Sequence, residues 1–177
     1  MAVLSKRFEK YGPAVHPEKT RLIDFRSPNH YERCREEKSN VNGKDGRRPE
    51  TFDLLGFTHY WSKTQKGNWA VQRKTMKSRL TRSIRSVDQW CRANRHRPVR
   101  EQWKKLCEKV RGHYAYYGIT GNIRSLKMFL HQVHRSWQRW LTRRKSKRDL
   151  VWEKFNLLLA QLPLPIPKIV NSVFKGK

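Results

Sequence analysis

At Thr75 the hydrophobic period of this chain changes, and that change restricts the fold more than any other feature. Before it, Trp69, Val71 and Arg73 alternate with Ala70 and Gln72, the two-residue period of a strand exposed on one side. After it, Met76, Leu80, Ile84, Val87 and Cys91 recur at helical spacing and form one stripe. A second helix begins near Val99, beyond the break at Arg95-His96-Arg97-Pro98, with Trp103, Leu106 and Val110 along one face. A third follows Asn122, a good N-cap, with Leu126, Phe129 or Leu130, Val133, Trp137, and Trp140 or Leu141 as its core stripe. Residues 149–162 predict a strongly apolar fourth helix that Pro163 stops. The expected class is α+β and mainly α, a small antiparallel sheet followed by a helical bundle.

The sheet is expected around residues 51–61, TFDLLGFTHYW, the most apolar and aromatic window of the chain. Residues 52–61 read as one strand, in which Gly56 marks a bulge or a close backbone approach. An ordinary buried hairpin strand is the simpler reading of the window alone. Lys66-Gly67-Asn68 is a hairpin-like connection to the strand at 69–73. Upstream, Leu4, Phe8 and Tyr11 predict a short helix, and Leu22, Ile23 and Phe25 a short strand over 21–25. Residues 27–50, with Gly43, Gly46 and Pro49, read as a flexible surface loop. The boundaries that follow are 1–73 for the sheet portion, 74–162 for the helices and 163–177 for a Pro-rich tail lying extended over the surface.

Charge narrows the partner. Among 177 residues, 41 Lys and Arg face 14 Asp and Glu, a net charge of +27 that repels itself unless a polyanion neutralises it. No acid occurs between Leu54 and Val87, nor between Lys109 and Arg148, which suggests surfaces that follow a phosphate backbone. Seven Trp argue against disorder and supply stacking groups, although Trp103, Trp137 and Trp140 sit on core faces and are expected to pack. An anionic membrane surface ranks behind nucleic acid. Cys34, Cys91 and Cys107 include no CxxC pair, no signal peptide is evident, and prolines at 163, 165 and 167 cut the last apolar segment. A cytoplasmic protein without a membrane partner is expected.

Catalytic constellations do not close. Asp24 and Asp53 fall in different strands, and no carboxylates have metal-binding spacing. Cys91, His96, Cys107 and His113 offer zinc ligands on paper, but Cys91 belongs to a core stripe and Cys107 to a helix. No metal site or cofactor is expected, and Gly118-Ile119-Thr120-Gly121 is a weak GxxG. Binding is the better-supported chemistry, because Arg and Lys neutralise phosphates. The candidate nucleic-acid contacts are Arg73, Lys74, Lys77, Arg79, Arg82 and Arg85 around the first helix, and Arg124, Lys127, Arg135 and Arg139 on the third.

Three blocks then carry a resemblance. They are His16-Pro-Glu-Lys-Thr-Arg-Leu-Ile23, Thr51-Phe-Asp-Leu-Leu-Gly-Phe-Thr-His-Tyr-Trp61 and Arg111-Gly-His-Tyr-Ala-Tyr-Tyr-Gly-Ile-Thr-Gly-Asn122. In this order they resemble the C-terminal half of bacterial group II intron reverse transcriptase/maturases, over nearly the whole chain. The resemblance implies a palm remnant followed by a helical thumb, or maturase-specific domain X, that binds intron RNA and the template–primer duplex. It makes Leu55, Gly56 and Phe57 part of a primer-grip-like hairpin and Lys19 a vestigial counterpart of a residue that assists the leaving group. The third block adds Arg111, His113, Tyr114, Tyr117 and Asn122 to the candidate RNA contacts. The family's metal-binding Tyr-Ala-Asp-Asp box would precede Met1 and is absent, as is its HNH endonuclease. The expectation is a maturase fragment that helps a group II intron fold and splice and is no enzyme on its own. The alternative is one part of a split RNA-directed DNA polymerase, using Mg²⁺ only when an upstream polypeptide completes it. A non-functional relic is the third possibility.

Overall fold

Leu55 and Gly56 both have positive φ, at 50° and 81°. In a computed structural model describing residues 10–11, 23–29, 50–64, 66–144 and 152–172, this pair is a two-residue hairpin turn. It separates β1 (Phe52–Leu54) from β2 (Phe57–Lys63), so the single strand expected over 52–61 is two strands. Two consecutive left-handed residues reverse the chain, where a bulge would only bend it. Strand β3 (Trp69–Thr75) follows, with its connection closed by hydrogen bonds from Thr64 N to Asn68 O and from Gly67 N to Thr64 O. The order β1-β2-β3 with such short connections makes the sheet an antiparallel meander.

The chain divides into two compact units, Met1–Phe52 with Tyr60–Val71, and Asp53–His59 with Gln72–Lys177. The hairpin turn falls in the unit that holds the helices. In the first unit, Phe25 meets Phe52 edge-on at 4.7 Å and Trp61 at 5.6 Å, and Trp61 Nε1 donates to the Phe25 carbonyl. Ile23, Asp24 and Phe25 do not form the expected strand. The Asp24 carboxylate accepts from Arg26 N and the Arg26 side chain, a local turn interaction that competes with a strand ladder. Pro28 and Asn29, at the start of the expected loop, have helical backbone. Lys19, Leu22, Cys34, most of the expected 3–11 helix and the rest of that loop lie outside the described residues.

The second unit contains α1 (Lys77–Ala93), α2 (Val99–Tyr117), α3 (Ile123–Thr142) and α4 (Trp152–Gln161). Helix α1 packs chiefly on α3, and α2 touches both. The core includes Val87 and Cys91, then Leu106 and Val110, then Leu126, Phe129, Val133, Trp137 and Trp140, all on the stripes read from the sequence, and adds Cys107, Tyr114, Phe155 and Leu164. Trp137 is fully buried, and at about 25 cal/mol per Å² of apolar area such an anchor contributes several kcal/mol. Its indole N–H donates to Gln102 Oε1, and Gln102 Nε2 donates to the Arg97 carbonyl. One buried glutamine thus ties α3 to the turn before α2. Cys91 and Cys107 are buried, and burial pushes the Cys91 thiol up to about 12.

Residues 163–172 form no helix, and several contacts fasten them to the unit. Leu164 is buried, the Pro163 carbonyl accepts from Trp103 Nε1, and the Pro165 carbonyl accepts from Tyr114 Oη. Val170 N and Asn171 N both donate to the Gly118 carbonyl. A Cβ on Gly118 would lie 2.3 Å from the Tyr114 carbonyl oxygen and 3.1 Å from that of Lys168, so only glycine permits this approach. Among the described residues, no helix is long and apolar enough to cross a membrane.

Candidate nucleic-acid interface

The first turn of α1 carries Lys77 and Arg79 and no acid, although a helix N-terminus is its positive end. Each cation there costs ~0.3–1 kcal/mol, a cost that a bound polyanion reverses. Lys77, Arg79, Arg82 and Arg85 are all exposed, and none has an ion-pair partner among the described residues. Arg79, Arg82 and Arg85 stand three residues apart and so are neighbours on the helix surface. Asp88 is the sole acid of α1, and its carboxylate turns to α3, accepting from Trp140 Nε1 at 3.0 Å and Arg139 at 3.3 Å. That contact occupies Arg139, one of the candidate cations. Arg73 is half-buried at the end of β3, and Lys74 and Arg111 are exposed.

Helix α3 adds a second row. Arg124, Lys127 and Arg135 are exposed at helical spacing, and His131 fills the gap between them. His131 was not among the candidates, although its four-residue distance from both Lys127 and Arg135 was visible in the sequence.

Aromatic rings link the Leu55–Gly56 turn to the core. Phe57 stacks on Tyr116 at 5.8 Å and 12° and meets Tyr117 at 5.4 Å. Tyr117 lies 4.6 Å from His113, which in turn stacks on Phe129 at 3.7 Å. Tyr116 Oη donates to the Leu55 carbonyl at 2.9 Å, and Met76 N donates to the Gly56 carbonyl at 2.9 Å. The turn is therefore held by α2 and the start of α1, while Leu55 itself is 77% exposed. Burial and then Tyr116 raise the Tyr117 phenol, and Arg79 and Arg82 oppose that shift, which sets these two cations beside the aromatic group. Tyr116 was missed as a candidate because the spacing of Tyr114, Tyr116 and Tyr117 does not reveal which one faces the turn.

Burial corrects Tyr114 and Asn122 and confines His113 to the wall of an open cavity. His113, Tyr114 and Asn122 were expected to touch RNA, but they are 9%, 3% and 1% exposed. Tyr114 spends its hydroxyl on the Pro165 carbonyl, and burial drives its pKa upward. Asn122 stands at the N-cap of α3 as expected, yet its side chain makes no cap hydrogen bond. It bonds to Thr75 and to the Tyr117 carbonyl instead. Tyr114 and Asn122 hold the unit together and offer no outward contact.

Comparison of the chain with family models, curated proteins and solved structures yields no match.

Proposed function

We propose that this chain is an RNA-binding fragment of maturase type, a palm remnant followed by a thumb, that assists the folding and splicing of a group II intron. The intron RNA is the catalyst, and the protein neutralises its phosphates and holds its tertiary structure. The observation that carries this reading is the exposed, unpaired quartet Lys77, Arg79, Arg82 and Arg85 on a helix whose only acid faces inward. Four free cations on one helix favour a polyanion over an ordinary solvated surface. The family resemblance supplies the intron as the particular RNA. Filter binding against salt tests the general claim. Between 50 and 200 mM salt, affinity should fall ~10³–10⁵-fold for 6–10 phosphate contacts. A flat response removes the reading. Adding the chain to a purified intron RNA and following splicing tests the particular claim.

The turn at Leu55 and Gly56 favours a second reading. An exposed apolar tip on a rigidly held hairpin suits a grip on a primer strand, as one part of a split RNA-directed DNA polymerase would require. Primer extension that needs Mg²⁺ and an upstream polypeptide bearing the aspartate box would favour it over the maturase reading.

A further inference from the structure

Helices α1, α2 and α3 leave an open cavity of about 360 Å³. This is near the small end of ligand pockets, enough for one nucleotide and too little for a folded segment. Arg82, Ser83 and Ser86 of α1 line it, with Lys109 and His113 of α2 and Phe129 of α3. No carboxylate is in the lining. Arg82 is exposed, and Lys109 lies over the Trp90 ring at 5.7 Å. The deeper part is aromatic, because His113 and Phe129 are both buried and stacked 15° from parallel. Burial holds the His113 imidazole down to about 4, so the ring is neutral near pH 7. Its Nε2 is buried without a hydrogen-bond partner among the described residues, an arrangement proteins seldom leave unfilled.

We propose that this cavity receives one unpaired nucleotide of a bound RNA, its phosphate against Arg82 and Lys109 and its base toward the His113–Phe129 pair. The proposal rests on the RNA-binding reading and adds a preference for a bulged or unpaired nucleotide over a continuous duplex. The cavity favours a nucleotide over an acidic side chain. A carboxylate would use only the two cations, whereas a nucleobase also brings a flat ring and a hydrogen-bonding edge for His113. The four-residue spacing of Lys109 and His113 puts both on one face of α2.

The test compares two RNA hairpins with the purified full chain, one fully paired and one with a single bulged 2-aminopurine. Ser86→Phe fills the cavity from an exposed helix position, and Ser78→Phe, outside the lining, is its control. The wild type and Ser78→Phe should prefer the bulged hairpin by roughly tenfold, the worth of one stacked base, with a change in 2-aminopurine fluorescence. Ser86→Phe should lose that preference while binding the paired hairpin as the wild type does. An unchanged preference in Ser86→Phe, or none in the wild type, overturns the proposal and leaves general RNA binding standing. Absence of binding to either hairpin overturns both. Free adenosine monophosphate is titrated in parallel, followed by the His113 ring signals in NMR. A His113 response without a bulge preference would assign the cavity to a free nucleotide and overturn the RNA form of the proposal.

Discussion

The side-chain amide of Asn122 brackets Thr75: its Oδ1 accepts the Thr75 N–H at 2.8 Å, and its Nδ2 donates to Thr75 Oγ1 at 2.8 Å. Both residues are buried, and the same Nδ2 also donates to the Tyr117 carbonyl. One side chain therefore joins the end of β3, the end of α2 and the start of α3. Asn122→Ala leaves the buried Thr75 N–H without its acceptor and Thr75 Oγ1 without its donor, at ~1–3 kcal/mol each. A loss of about 3 kcal/mol in a urea melt is expected. Asn122→Asp keeps the acceptor but buries a charge beside a carbonyl, so it should be no more stable than the alanine variant. Near-wild-type stability for both would refute the bracket.

The turn is predicted to be improvable. Leu55 holds φ at 50°, where a Cβ costs ~1–2 kcal/mol and asparagine is better tolerated. Leu55→Asn should raise stability by about 1 kcal/mol. Gly56→Ala, at φ 81°, should lower it by a similar amount. Thermal melts of the two variants should move in opposite directions. If the exposed leucine is used in binding, the more stable Leu55→Asn protein will bind RNA less well.

The tail contributes to the core. Leu164→Ala empties a site that is 5% exposed, and should cost ~2–4 kcal/mol. A merely draped tail would show almost no effect in the same melt.

Stability should fall with acid. His113 titrates at about 4 in the folded chain against an ordinary 6.5, and His134 is also lowered by burial and by His131. Above pH 6.5 both states are neutral at His113 and nothing is lost. Between pH 6.5 and 4 only the unfolded state takes up the proton, so folding weakens as pH falls, by about 3 kcal/mol for His113 once below 4. Urea midpoints measured across that window should show a steeper slope in the wild type than in His113→Gln.

Binding should respond to α1. Arg79→Glu with Arg85→Glu changes two exposed side chains, so the melt should be nearly unaffected. Affinity for RNA should drop at least tenfold, and the salt slope should flatten by ~1.4–1.8 for two lost phosphate contacts. Equal affinity would move the contact surface away from this helix.

The core stripe of α3 was legible because a helix repeats every 3.6 residues whatever surrounds it, although only packing chose Phe129 over Leu130 and Trp140 over Leu141 for full burial. The exposed cations of α1 and α3 were legible for the complementary reason. The candidate site was legible only in part. Its basic rows were visible, but the sequence also offered Tyr114 and Asn122, whose polar atoms look like ligand contacts until their partners are known.

Those partners lie far along the chain: Asn122 reaches Thr75 over 47 residues, Tyr114 reaches Pro165 over 51, and Tyr116 reaches Leu55 over 61. A polar side chain can satisfy itself in water, on RNA or on a distant backbone group, and composition does not distinguish the three. By itself the sequence determined the helices, their buried faces and the excess of positive charge, all local or additive properties. Tertiary structure alone decided that Leu55 and Gly56 form the turn, that Leu164 of the tail joins the core, and which polar groups are spent on distant partners. Burial and hydrogen-bond pairing depend on which residues meet, and that is a property of the folded chain.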